Sequence, residues 1–113
     1  VLLELHVAEE DTKFGLTLDE CRDLLAAGEW RDMKNVCICG LMTMASNVDN
    51  DEQIRAELTT AWRFFDEIKS LYFAQDEAFK ERSWGMSHDY PIAIECGSTM
   101  VRVGTNIFGE RQY

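Results

Sequence analysis

The residues of this sequence best suited to chemistry follow two predicted strands near its end. Ser87 comes directly after a strand predicted at residues 82–86 and precedes a predicted helix, whose first free N–H groups attract anions. Gly104 has no side chain, so an anion can approach its backbone closely, and Thr105 adds a hydroxyl and an N–H. Taken alone, these three residues are more typical of turns and helix caps than of a binding site.

A nearby arginine, Arg102, favours a binding site over a purely structural role for these residues. It lies two residues before Gly104, so both residues should face the same side of the last strand, together with Met100. An arginine among apolar strand residues is costly unless it has a partner. The sequence therefore predicts a partner for Arg102 on the side of the sheet where Gly104 lies.

Two other combinations of reactive residues do not predict a functional site. Ser87, His88 and Asp89 have the composition of a catalytic triad, but triads are assembled in space from separate segments, and the GxSxG turn of hydrolases is absent. The four cysteines, Cys21, Cys37, Cys39 and Cys96, lack CxxC spacing, so we predict reduced cysteines in a core and no metal site.

Alternating strands and helices must position these residues. Strands are predicted at residues 1–7, 36–42, 82–86 and 99–103. A helix capped by Thr17 and Glu20 ends at Gly28, a long helix begins after Asn50, and a short helix capped by Ser87 covers residues 89–96. This β-α-β-α-β-α-β order predicts a single α/β domain over residues 1–113, built on a parallel sheet.

Composition excludes several classes of protein. The chain of 113 residues carries 21 acidic and 11 basic residues, a net charge of −10, with no basic stripe, which argues against a nucleic-acid or anionic-membrane partner. No apolar run approaches the roughly 20 residues of a membrane helix. Four parallel strands leave two open edges, and crossover helices of one hand cover one face only. We therefore expect a piece of a larger sheet, or a domain completed by another chain.

The chain resembles the pyridoxal-phosphate homeostasis family over its whole length. The resemblance rests on elements at matching order and spacing: a strand followed by EEDTKFG at 9–15, LMTM at 41–44, WGMSHD at 84–89, GSTMVRVGT at 97–105 and IFGER at 107–111. It implies the alanine-racemase-type (β/α)₈ barrel, a TIM-type barrel of pyridoxal phosphate (PLP) fold type III, with the four strands here as strands five to eight.

The resemblance also implies roles for the residues introduced above. Ser87, Gly104 and Thr105 would bind the phosphate of PLP, because phosphate often lies between the loops that follow strands seven and eight of such barrels. Arg102 would face the pyridine nitrogen. The lysine that forms the imine with PLP is expected in the missing N-terminal half, although Lys13, in a loop at the same end of the barrel, is kept as an alternative anchor.

The resulting hypothesis is a cytoplasmic, non-catalytic carrier that binds PLP and limits its free concentration. The alternative is a PLP-dependent enzyme such as an amino-acid racemase, which would also need a catalytic tyrosine; Tyr72, Tyr90 and Tyr113 fall in helix or tail contexts. No catalytic residue is assigned. The expected partners are PLP and either the missing N-terminal half-barrel or a second half-barrel of the same chain.

Overall fold

The computed structural model describes residues 1–8 and 15–104. Within them, four strands alternate with helices, as predicted: β1 (Leu2–Leu5), α1 (Leu18–Ala27), a short 3-10 helix (Glu29–Asp32), β2 (Gly40–Thr43), α2 (Asp51–Tyr72), β3 (Glu81–Met86), α3 (Tyr90–Glu95) and β4 (Met100–Arg102). No helix in these two ranges combines the length and the apolar character required to cross a membrane.

The four strands form one parallel sheet in the order β1-β2-β3-β4, which confirms the predicted α/β class. Crossovers between neighbouring parallel strands are right-handed. When each new strand is added on the same side of the previous one, as here, all the crossover helices lie on one face of the sheet. The core agrees, because Leu5, Leu41 and Trp84 are buried with residues of α1, α2 and α3. The other face of the sheet carries no helix among the described residues.

Helix α1 begins and ends where its capping residues predict. The Thr17 hydroxyl accepts a hydrogen bond from Glu20 N (3.1 Å), and the Glu20 carboxylate accepts one from Thr17 N (3.0 Å). These two bonds with Thr17 hold the pKa of Glu20 below its ordinary value. Gly28 follows the helix with a φ of 77°, in the left-handed region that favours glycine.

The long helix α2 begins after Asn50, whose side chain accepts a hydrogen bond from Gln53 N (3.1 Å). The apolar side chains that recur every three or four residues along it are buried at Ile54, Leu58, Ala61, Phe65 and Ile68, while Trp62 and Tyr72 are partly buried at the margin. Beyond the helix, the Phe79 ring stacks against Phe73 and Phe65, with centroids 4.1 and 4.9 Å apart. This aromatic stack extends the core toward the start of β3.

The second strand differs from its prediction. Residues 36–42 were predicted as a strand, but β2 begins at Gly40 and ends at Thr43. Val36 and Cys37 are exposed and precede the ladder, so an apolar composition does not by itself indicate a strand buried on both faces. The prediction of core cysteines is confirmed for Cys21 and Cys96 and is wrong for Cys37, which is exposed.

Burial of the Cys21 thiol on α1 makes stability depend on alkaline pH. Burial raises the pKa of this thiol to about 11. Between pH 9.0, the ordinary pKa of a thiol, and about pH 11, the folded chain keeps a proton that the unfolded chain has lost. The free energy of unfolding therefore falls as the pH rises through that window. We expect the free energy of unfolding, measured by urea titration, to fall less steeply across this window in Cys21→Ala than in the parent chain. Parallel curves for the two proteins would contradict this assignment.

Candidate functional site

Three of the four predicted site residues lie at one edge of the sheet. In a parallel sheet, all carboxyl ends of the strands meet at the same edge. Ser87 directly follows β3, Gly104 comes two residues after β4, and Arg102 is paired in register with Met86 at the ends of these two strands. The structure therefore brings Ser87, Arg102 and Gly104 to neighbouring positions, whereas Thr105 lies outside the described residues.

Arg102 has the protein partners that its position requires. Its Nη1 donates to the Ser83 hydroxyl (2.7 Å) and to the Ser83 carbonyl oxygen (3.1 Å), and its Nη2 donates to the Thr43 carbonyl oxygen (3.0 Å). A side chain from β4 thus reaches across β3 to β2. Ser83 is buried beneath it, with only 2% of its surface exposed. The guanidinium group is therefore fixed near the carboxyl edge of the sheet.

The electrostatics of Arg102 combine two opposed effects. Burial lowers the pKa of its guanidinium from the ordinary value, while the nearby carboxylates of Glu4 and Asp89 raise it. Because an arginine side chain stays protonated in proteins, these effects act on the energy of a permanent cation. A partly buried cation at the carboxyl edge of the sheet is well suited to attract an anionic or electron-rich ligand.

The sheet face that carries Arg102 is open. Glu4, Met42, Ser83 and Met100 are paired in register across the four strands and so form one row on this face. Met100 is 45% exposed, and Glu4 and Met42 are partly buried. Apolar and charged side chains therefore share a surface that no helix of the described residues covers.

Asp89 organises the loop between β3 and α3. We predicted Ser87 as the N-cap of this helix, which is wrong: Asp89 occupies the N-cap position, and its side chain makes no capping hydrogen bond. The Asp89 carboxylate is 1% exposed and accepts a hydrogen bond from Met86 N (2.7 Å), while Asp89 N donates to Met86 O (3.1 Å). Its second oxygen lies 3.2 Å from His88 Nε2.

Asp89 therefore closes a tight turn that sets where Ser87 lies. Sequence reasoning did not identify this role, although an aspartate two residues before Pro91 was a usable signal, because aspartate side chains often bond to nearby backbone N–H groups in turns.

The loop after β2 is held by a second acid that the sequence did not single out. This acid is Glu57 of α2, which is only 6% exposed although glutamate side chains usually lie in solvent. Its carboxylate accepts hydrogen bonds from Ser46 N (2.7 Å), the Ser46 hydroxyl (2.8 Å) and Gln53 Nε2 (3.1 Å). Glu57 thus anchors a loop at the same edge of the sheet as Arg102.

The described part of the chain contains no group of three or more histidine, cysteine, aspartate or glutamate side chains placed to hold a metal ion. The candidate site therefore consists of an arginine on an open sheet face and two loops held by buried carboxylates. Such a site can bind and orient a ligand that carries an anionic group.

Comparison with known proteins places these features in a wider group. The family of alanine racemase N-terminal domains matches residues 1–112. The pyridoxal phosphate homeostasis protein of Aquifex aeolicus is 38% identical over all of this chain and 47% of its own length. That of Pasteurella multocida is 34% identical over all of this chain and likewise 47% of its own length. The chain spans about half the length of the curated relatives it matches.

The solved structures give the same result. The structure of PipY from Synechococcus elongatus without PLP superposes with a TM-score of 0.83 at 29% identity, covering 96% of this chain and 48% of that one. The structure of PipY with PLP bound superposes with a TM-score of 0.75 at 28% identity, covering 94% of this chain and 49% of that one.

Proposed function

Because the chain belongs to the family of alanine racemase N-terminal domains, we propose that it forms part of a PLP-binding protein that stores and delivers the cofactor. The resemblance that the sequence motifs indicated is confirmed by this family match. The relatives are named as homeostasis proteins and not as enzymes, and the PipY structure binds PLP, which supports a carrier without a reaction of its own.

The space next to Gly104 is the observation that supports a phosphate site most directly. A β-carbon built on Gly104 would meet no heavy atom within 4 Å among the described residues. Ser87 lies beside it at the end of β3, where a loop turns toward α3. We propose that the PLP phosphate lies against the Gly104 backbone and the Ser87 hydroxyl. Thr105 remains a proposed third contact that the sequence alone supports.

We further propose that Arg102 faces the ring nitrogen of PLP. Its guanidinium is anchored to Ser83 and Thr43, so it cannot move away from a ligand on the open face without losing those hydrogen bonds. A permanent cation at this position disfavours a proton on the ring nitrogen. PLP supplies an electron sink when bound, and an unprotonated ring is a poorer one. This arrangement suits storage of the cofactor better than demanding carbanion chemistry.

The proposed anchor lysine belongs to the half of the relatives that this chain does not span. Among the described residues, Lys69 is on α2 with its ammonium bonded to Asp76 O (2.6 Å), and Lys34 and Lys80 precede β2 and β3. None of these three lysines is at the carboxyl edge of the sheet, and Lys13 lies outside the described residues. We propose that the chain forms strands five to eight of a (β/α)₈ barrel, whose remaining half would cover the open face. The cytoplasmic location stays a prediction from the sequence.

A PLP titration of this chain tests the phosphate site. We expect weak binding that inorganic phosphate competes with, and an affinity about tenfold lower in Gly104→Ala, or about 1.4 kcal/mol. The substitution introduces a methyl group where the phosphate would lie but contacts nothing in the described fold. Ser70→Ala, at an exposed position on α2, is the matched control and should leave affinity unchanged.

Two results of this titration would contradict the proposal. Equal PLP affinity in Gly104→Ala and the parent chain, without competition from phosphate, would exclude a phosphate site at Gly104. Reduction with borohydride followed by peptide mapping addresses the anchor separately. Clean labelling of one lysine, Lys13 above all, would show that the chain carries its own anchor and that no missing half is needed.

A further inference from the structure

Two thiols lie together at the end of the sheet opposite the candidate site. Cys37 and Cys39 shortly precede β2, and the Cys39 thiol donates a hydrogen bond to the Cys37 sulfur across 3.7 Å. Cys37 is exposed and Cys39 is partly exposed, so the pair faces solvent, whereas Cys21 and Cys96 are buried singly in the core. Neither thiol of the pair contributes to the hydrophobic core or to the proposed PLP site.

The backbone holds this pair in place from both sides. Cys39 N donates to Val1 O beside β1 (2.8 Å), and Cys39 O accepts from Lys80 N and Glu81 N at the start of β3 (2.9 Å each). Ile38, between the two cysteines, is 6% exposed and points into the core. The alternation of side chains therefore places both thiols on the outer side of a segment that its neighbours fix.

We propose that Cys37 and Cys39 form a bidentate site for a thiophilic divalent metal ion of the Zn²⁺ and Cd²⁺ type. With Zn–S bonds of about 2.3 Å and tetrahedral angles, two thiolates on one zinc ion lie roughly 3.8 Å apart. The observed separation of 3.7 Å matches that spacing without movement of either residue. Each thiol releases its proton to solvent as its sulfur binds the metal, and water fills the remaining positions.

The geometry favours a bridging metal ion over a disulfide. A disulfide requires sulfur atoms about 2.05 Å apart, so the thiols would have to approach well within their present 3.7 Å.

Titration of the reduced chain with Cd²⁺ tests this site through the ultraviolet charge-transfer band of cadmium thiolates. We expect saturation at one Cd²⁺ per chain, displacement by Zn²⁺, and loss of the band in both Cys37→Ser and Cys39→Ser. The matched control is Cys96→Ser, because Cys96 is 4% exposed and its sulfur lies 3.8 Å from the Thr59 hydroxyl, so a serine fits there. This control should retain the full band.

Circular dichroism of each variant confirms that it is folded, so loss of the band reports on the metal site alone. The proposal is overturned if no band develops in the parent chain, or if Cys37→Ser retains it. Saturation at half an equivalent would overturn it as well, since the metal would then join two chains. PLP binding by these variants should be unchanged, which keeps this test independent of the proposed function.

Discussion

Gly40→Ala is expected to destabilise the fold by at least about 3 kcal/mol, the upper end of the usual cost of overpacking. Gly40 is the first residue of β2 and is paired with Glu81 of β3. A β-carbon on Gly40 would overlap the backbone carbonyl of Glu81, and a backbone cannot rotate away as a flexible side chain can. The strands would have to separate, which breaks the adjoining hydrogen bonds to Cys39 O. Urea unfolding followed by circular dichroism measures the loss.

Gly104→Ala is the control for this prediction, because the same chemical change is made where a β-carbon meets no described atom. We expect its free energy of unfolding to stay within about 0.5 kcal/mol of the parent value. If both variants unfolded at the same urea concentration, close contact between β2 and β3 at Gly40 would be refuted.

Glu57→Ala is expected to reduce the free energy of unfolding by about 3 kcal/mol. The substitution removes a buried carboxylate that accepts hydrogen bonds from Ser46 N, the Ser46 hydroxyl and Gln53 Nε2. Ser46 is itself fully buried, so its N–H and hydroxyl would lose partners in a place that water reaches poorly, at about 1–3 kcal/mol for each unsatisfied group. The same urea titration measures the change.

Two further substitutions on α2 separate the buried hydrogen bonds from other effects of the change. Glu57→Gln keeps the shape and an acceptor oxygen, so its loss should lie between that of Glu57→Ala and the parent chain. Asp66→Ala removes an exposed acid from the same helix and should cost less than about 0.5 kcal/mol. A loss in Glu57→Ala as small as that in Asp66→Ala would refute the anchoring role.

Most of the fold was predictable because its signals are local. Thr17, Glu20 and Gly28 define the ends of α1 through hydrogen bonds and a backbone angle that depend only on nearby residues. The apolar stripe of α2 likewise follows from helical periodicity, and the alternation of strands and helices gives the parallel sheet.

The parts that failed depend on contacts between distant segments. Glu57 is buried because Ser46, eleven positions earlier, needs an acceptor, and a polar residue gives no sign of this in a hydrophobic pattern. Its position was still informative, since it comes three residues after Ile54 and four before Ala61, on the buried stripe of the helix. The start of β2 was misplaced because Val36 is apolar yet exposed.

In the candidate site, too, the local features were predictable from the sequence and the contacts between distant segments were not. The sequence placed Arg102 and Gly104 at the end of the last strand, but it could not show that Arg102 reaches β2. That reach depends on the register of three strands, which brings Thr43 O within 3.0 Å of Nη2. The role of Asp89 was missed for a similar reason, because its carboxylate turns back to Met86 instead of capping α3.

The order β1-β2-β3-β4 follows the order of the chain, so each strand pairs only with the strands before and after it in sequence. Each pairing nevertheless closes a long crossover, since Leu2 pairs with Gly40 and Gly40 with Glu81, so the entropy of loop closure is lost once for every strand added. Assembly can therefore proceed by successive addition, each unit of strand and helix forming on the one before it, as in solenoid repeats. The strand order is thus that of a one-dimensional array, while the single hydrophobic core shared by the strands and the helices couples its units to one another.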